Sequence, residues 1–254
     1  MPDATIASRV KSWSNVMGPH MIVFLDHINE NSILSIGVHR CYLSGTTNME
    51  RFMKLYYKSG ACSLASHLML TEVGIPFEIE AVDTAAGRTE SGKNYRDINA
   101  NGYVPTLELD SGERISEGAA VLQYIADSNP ARAYAPAPGT VERARVQQFV
   151  NYAATELHKS WAPVFSDSST ESEKAAAMAK VKSKFDYLET VFADGRAYLV
   201  GNTFSVADAY TFILVFWANF KDIDLSGWPN LSAFVDRIAA RPATKSVFAA
   251  EGLA

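Results

Sequence analysis

Residues 129–139, Asn-Pro-Ala-Arg-Ala-Tyr-Ala-Pro-Ala-Pro-Gly, place Pro130, Pro136 and Pro138 in one short stretch. Neither a helix interior nor a central strand accommodates it, because each proline removes a backbone donor and fixes φ. The segment reads as a connection between two domains. The hydrophobic pattern changes across it, from short strand-like runs before to helical spacing after.

Before the connection, Met53 to Lys58 predicts a strand, and Ser59-Gly60-Ala61 turns into a helix with Leu64, Ala65 and Leu68 on one face. Gly74 followed by Ile75-Pro76 stops that helix, and Phe77 to Val82 is a second strand, completing a βαβ unit. A polar stretch with Gly87 and Gly92 is irregular or helical. Thr106 to Leu109 and Glu113 to Ser116 then flank Asp110-Ser111-Gly112 as a hairpin, and Glu117 to Asp127 returns to helix. Residues 53–128 therefore predict an α/β domain in the order βαβ-α-ββα.

Residues 140–254 predict an all-helical domain. Val146, Phe149, Val150, Ala153, Leu157 and Trp161 keep an i, i+3, i+4, i+7 rhythm, and Val181, Phe185, Leu188 and Phe192 repeat it after a capping box from Thr170 to Glu173. Ser205 to Phe220 is apolar nearly all round, which predicts a central buried helix capped by Ser205 and Asp208. Two shorter helices follow, near Pro229 to Ala240 and Ala243 to Ala250.

Residues 1–52 have a different texture, with scattered Asn, Ser and His and no stable helical period, and they lack the order of a signal peptide. They read as an N-terminal extension: either a disordered segment, or sequence upstream of a natural start near Met49 or Met53. Lys and Arg total 23 against 28 Asp and Glu, a net charge of -5 that offers nucleic acid and anionic lipid no global attraction. No apolar run approaches the roughly 18 residues of a membrane span. Two cysteines, Cys41 and Cys62, are neither a disulfide scaffold nor a zinc-ligand pattern, so no metal is expected, and they fit a reducing, cytoplasmic setting.

Cys62 falls at the start of the first helix, where free N–H groups and the helix dipole favour a thiolate with a depressed pKa. The other reading of the same position is a small residue packing the helix onto the sheet. Residue 65 is Ala, so the dithiol spacing is missing and disulfide exchange would need an external thiol. Val104-Pro105, ahead of a strand, either simply starts that strand or exposes a backbone pair that docks an extended peptide. Glu117-Gly118 is an ordinary helix start, or a site where N–H groups take a carboxylate and the Glu an ammonium group. Asn151, Thr155 and His158, spaced i, i+4, i+7, fall on one helix face, either as a solvated stripe or as a cleft wall whose His acts as acid, base or thiolate partner. His67 is a weaker candidate of the same kind, and Lys180 to Lys184 reads as a solvated basic face.

Together, Cys62 at a helix start, Val104-Pro105, Glu117-Gly118, the proline-rich connection and the helical second half resemble a cytosolic glutathione transferase. The stretches Tyr57 to His67, Ala154 to Lys159 and Phe204 to Tyr210 are similar to the bacterial beta class, from Met53 to the C-terminus. The resemblance implies a thioredoxin-like N-terminal domain, a helical C-terminal domain and a homodimer with glutathione as co-substrate. It implies Cys62 and His158 beside the glutathione sulfur, with Val104 pairing main chain to main chain across cis-Pro105. Glu117 and Gly118 would hold the γ-glutamyl end, and Asn151, Thr155 and Glu156 would line the same cleft.

Two positions depart from the family pattern: Gly87, followed by Arg88, stands where a lysine often meets the glycine end of glutathione, and Tyr103 replaces a common Gln. Weaker glutathione binding is the expectation. The electrophile is expected on the helical side, near Trp161, Phe165 and Tyr210. Three functions follow as alternatives: conjugation of glutathione to small hydrophobic electrophiles, a thiol-disulfide oxidoreductase or peroxidase working through a Cys62 mixed disulfide, and a non-catalytic binding protein on the same fold.

Overall fold

A computed structural model describes residues 53–253. The extension expected over 1–52, with Cys41 and the candidate start at Met49, lies outside the described residues.

The sheet is built from β1 (Met53–Tyr57), β2 (Phe77–Asp83), β3 (Arg88–Thr89), β4 (Thr106–Glu108) and β5 (Arg114–Ser116), in the order β3-β2-β1-β4-β5. Central β1 runs parallel to β2 and antiparallel to β4. Because successive strand residues face opposite sides, Leu55 joins Leu107 in the main core, while Tyr56 joins Val82 and Tyr95 in a small cluster on the other side. The main core is completed by α1 (Ser63–Val73) and α2 (Gly118–Asp127). α1 ends because Gly74 adopts a left-handed conformation, φ 73°, and its N–H returns to the Leu70 carbonyl at 3.1 Å.

This is the thioredoxin-like arrangement expected, with one reduction. The helix written between the second and third expected strands is a single 3₁₀ turn, Tyr95–Asp97, preceded by the two-residue β3. Only Tyr95 of that turn is buried, so the polar segment has no apolar face with which to hold a longer helix.

The helical part comprises α3 (Val141–Tyr152), α4 (His158–Phe165), α5 (Glu171–Phe192), α6 (Val206–Phe216), α7 (Pro229–Ala239) and α8 (Pro242–Ala250). α6 is the buried central helix, enclosed from Val206 through Val215. Its start is fixed by Asp208, whose fully buried carboxylate accepts the Leu199 N–H (2.7 Å), the Ser205 N–H (2.8 Å) and the Ser205 hydroxyl (2.7 Å). Burial nonetheless pushes the Asp208 carboxyl up to about 6. The helix expected to reach Phe220 ends at Phe216 and tightens into a 3₁₀ turn, Trp217–Lys221. Glu72 of α1 ties the sheet to this part, accepting from Arg241 at 2.6 and 2.9 Å and from the Tyr134 hydroxyl at 3.0 Å.

Candidate active site

The loop from β1 to α1 carries Cys62, and it is held from two directions. Within the loop, Ser63 Oγ accepts the Lys58 N–H at 3.1 Å and donates to the Lys58 carbonyl at 3.2 Å. From the chain's far end, the Glu251 carboxylate accepts the Gly60 N–H at 3.0 Å and meets His67 Nδ1 at 2.8 Å. Ser59 Oγ donates to the Glu251 carbonyl (2.6 Å), and Trp217 Nε1–H donates to the Gly60 carbonyl (2.8 Å). His67 is thus buried in a structural contact under the loop, away from the chemistry.

Cys62 caps α1 at its N-terminus, as expected, but its thiol is not acidified. The N–H groups of Cys62 and Ser63 do favour the thiolate. Burial opposes them more strongly, with a further push from Glu117, and raises the thiol to about 12. The group is a neutral thiol whose Sγ donates to the Val104 carbonyl at 3.3 Å. The helix terminus is legible in the local sequence, whereas the desolvation comes from the segments packed around the sulfur.

Val104-Pro105 is a cis peptide bond. The bend around it is pinned from beneath, where Tyr95 Oη and Asn99 Nδ2 donate to the Tyr103 carbonyl at 2.9 and 2.8 Å and both also reach Thr106 Oγ1. The Val104 N–H has no partner among the described residues, which leaves a main-chain donor open at a residue that lines the cavity described below. Next along the rim, Glu117 holds φ 69°, a left-handed value costly for a residue with a Cβ, at the start of α2.

His158 arrives from the helical part through a break in helix phase. Between α3 and α4, residues Ala153–Leu157 form a π-helical turn, in which Thr155 Oγ1 donates to the Asn151 carbonyl at 3.0 Å. The extra residue per turn overturns the single-face reading of Asn151, Thr155 and His158. His158 turns inward, whereas Asn151, Thr155 and Glu156 are exposed, and Glu156 pairs with Lys184 at 2.7 Å. His158 Nδ1 lies 3.1 Å from Tyr210 Oη. Burial, helped by the Lys159 charge, lowers the imidazole to about 4, and burial raises the Tyr210 phenol, so both are neutral near pH 7.

Two cavities meet at His158. A polar one of about 520 Å³ collects Cys62, Val104, Pro105, Glu117, Gly118 and His158 from the expected set, together with Tyr103, Ala154 and Tyr210. Its wall also carries three cations, Lys58, Arg96 and Lys159, against the single carboxylate of Glu117. Such a lining suits a ligand of net negative charge that bears one positive group. Asn151, Thr155 and Glu156 do not line it. An aromatic cavity of about 500 Å³ adjoins it, sharing Lys58, Ala61 and His158 and walled by Trp161, Phe165, Trp217 and Phe220. Trp161 and Phe165 sit where the electrophile was expected, but Tyr210 belongs to the polar side.

Lys58, Arg96, Lys159, Trp217 and Phe220 were not singled out from sequence. Lys159 had a signal in its position next to His158. Trp217 and Phe220 were absorbed into an all-apolar helix, and only the 3₁₀ turn brings them to the cavity. Gly87 lies outside the polar cavity, and Arg88 turns away, donating to the Gly92 carbonyl at 3.1 Å.

This geometry agrees with three kinds of comparison. Residues 60–128 match the family model for the glutathione S-transferase N-terminal domain, and residues 152–242 match that for the C-terminal domain. Glutathione S-transferase GstA of Escherichia coli O157:H7 is 39% identical over 201 residues, spanning 79% of this chain and 100% of the relative. Among solved structures, a sphingomonad glutathione S-transferase complexed with glutathione is 42% identical with a TM-score of 0.76, and the bacterial beta class enzyme of Sphingomonas chungbukensis is 41% identical with a TM-score of 0.77. Each alignment covers 79% of this chain and 100% of the other. With both halves of the fold, the open main-chain donor at Val104 and the paired cavities all in agreement, the chain belongs to the glutathione S-transferase family and is a glutathione transferase.

Proposed function

We propose that the protein is a beta-class enzyme that joins the thiolate of glutathione to small hydrophobic electrophiles. The observation that carries this reading is the pair of adjoining cavities, one polar and cationic, one aromatic, with His158 and the neutral Cys62 thiol at the polar end of their junction. Glutathione bears two carboxylates and one ammonium group, which matches three cations facing one carboxylate. Its cysteinyl unit pairs with the open Val104 N–H, and its ammonium group meets Glu117 beside Gly118.

The nucleophile is the sulfur of glutathione. Its proton leaves to solvent, its thiolate attacks the electrophilic carbon, and the leaving group departs with the bond electrons. Cys62 serves as a donor, its S–H turning from the Val104 carbonyl toward the thiolate, and the N–H groups at the start of α1 add to the same field. Tyr210 Oη lies 3.1 Å from His158 Nδ1, and in the tautomer whose Nδ1 accepts the phenol O–H the imidazole proton sits on Nε2 as a further donor. A redox role through Cys62 needs its thiolate, which burial opposes.

The division into a glutathione-binding part over 53–128, a connection over 129–139 and a helical part over 140–254 goes with this reading. So do a homodimeric state and a cytoplasmic location. The test is a pair of assays on the full chain and on Cys62→Ala: conjugation of glutathione to an aryl halide, and glutathione-dependent reduction of a small disulfide. Conjugation within about tenfold of the parent is expected in the variant, the loss of one donor. Conjugation abolished while glutathione binding persists would overturn the donor role. Disulfide reduction without conjugation in the parent would favour the oxidoreductase, and no retention on immobilised glutathione would favour the non-catalytic reading.

A further inference from the structure

The aromatic cavity is cationic at its mouth. Among the described residues its wall includes no aspartate or glutamate, and of its two ionisable members, Lys58 and His158, the imidazole is neutral near pH 7. Lys58 lines both cavities, and its Nζ donates to Thr84 Oγ1, 3.3 Å away on the polar side. A second ammonium stands just outside the wall: Lys221 Nζ lies 4.7 Å from the centroid of the Phe165 ring, which belongs to it. Neither lysine is ion-paired among the described residues.

The path of the chain explains why Lys221 is there. Trp217, Phe220 and Lys221 belong to one 3₁₀ turn, which Asp222 closes in a left-handed conformation, φ 51°. The turn that puts two rings into the wall therefore also carries a charge to its edge. The Phe165 ring face attracts the ammonium group, whose N–H donors stay available to an acceptor. Glu251, the carboxylate beneath the Cys62 loop, is already met by the Gly60 N–H and His67, and its side chain is fully buried, so it offers the mouth no acceptor. A neutral aromatic electrophile makes no use of these charges. One that carries a carboxylate or sulfonate does: its ring lies among the aromatic side chains, its anion meets Lys221 at the edge, and Lys58 at the junction offsets the repulsion between that anion and the glutathione thiolate.

We infer that the second substrate is an aromatic electrophile bearing an anionic group, and that Lys221 is the residue that selects it. The inference rests on conjugation of glutathione in the paired cavities. For an aryl halide, the sulfur–carbon bond forms as the carbon–halogen bond breaks, halide leaves with the electron pair, and the anionic substituent is unchanged. The test compares para-chloro-meta-nitrobenzoate with para-chloro-meta-nitrobenzamide, the same ring without the charge, as substrates of the full-length parent, Lys221→Ala and Lys221→Glu. Each kcat/KM is measured at saturating glutathione and low ionic strength and divided by the uncatalysed rate. The parent is expected to prefer the benzoate. Lys221 is exposed, so this preference should fall about threefold in Lys221→Ala and about tenfold in Lys221→Glu. Added salt should lower it in the parent.

Two results would overturn the assignment while leaving conjugation in place: a parent that does not prefer the benzoate, and Lys221 variants that keep the parent's preference, which gives the selection to Lys58. A parent that is not retained on immobilised glutathione, or that conjugates neither these compounds nor a neutral dinitrophenyl halide, would overturn the conjugation reading itself.

Discussion

The two cavities that share His158 are made in opposite ways. The polar one is framed by short fixed segments: the bend at Val104-Pro105 pinned by Tyr95 and Asn99, the start of α1 and the left-handed Glu117. The aromatic one is made of side chains, among them Phe165 and Phe220, which stay 42% and 43% exposed. Pinned segments can be complementary to one ligand only, whereas rings with room to turn can accept many shapes. Recognition of a constant co-substrate and tolerance toward a varied second substrate thus correspond to two kinds of construction in one cleft.

The largest effect that tests this contrast comes from the wall they share. His158 is held at about 4 against an ordinary 6.5, so the unfolded chain takes up a proton below pH 6.5 that the folded chain refuses until about pH 4. The contribution of this group to stability is complete above pH 6.5 and is lost as pH falls toward 4, by roughly 3 kcal/mol. Replacement by Phe keeps a ring and removes the titration. Urea unfolding of parent and His158→Phe at pH 7 and pH 4.5 should show the variant losing less on acidification; parallel losses would mean that His158 does not carry the effect.

A smaller effect is expected on the polar side. Glu117→Gly relieves the left-handed backbone, so thermal unfolding should show a gain of about 1 kcal/mol, while glutathione binds more weakly for want of the carboxylate. If stability falls instead, the rim is not strained and the contrast with the aromatic side loses its basis. The smallest effect belongs to the aromatic wall. Phe220→Ala should raise the KM for an aryl halide about threefold with the KM for glutathione unmoved, and a change in the glutathione constant would show that the two cavities are not separable.

Much of this was legible in the chain. Period-two runs gave way to period-3.6 runs across Pro130, Pro136 and Pro138, and the strands and principal helices follow that pattern. Val104-Pro105, Glu117-Gly118 and Cys62 were each ambiguous alone, and their combination pointed to one cleft. Asn151 and Thr155 do not share the cavity with His158, because a helical wheel assumes one period and the π-helical turn at Ala153–Leu157 departs from it, and Glu156, assigned by resemblance and not by spacing, is exposed and paired with Lys184. Nothing in local spacing signals that turn.

The sequence alone determined what local rules determine: where helices start and stop, which residues can cap them, which faces are apolar, and that a cysteine heads the first helix. Tertiary structure decided the sign of that cysteine's shift, because a helix terminus acts within one turn while desolvation depends on every segment packed around the sulfur. It also decided that Lys221 stands over the Phe165 ring and that Glu251, 191 positions after Gly60, holds the Cys62 loop. Such contacts join residues far apart in the chain, and their charges and donors acquire a purpose only when folding brings them together.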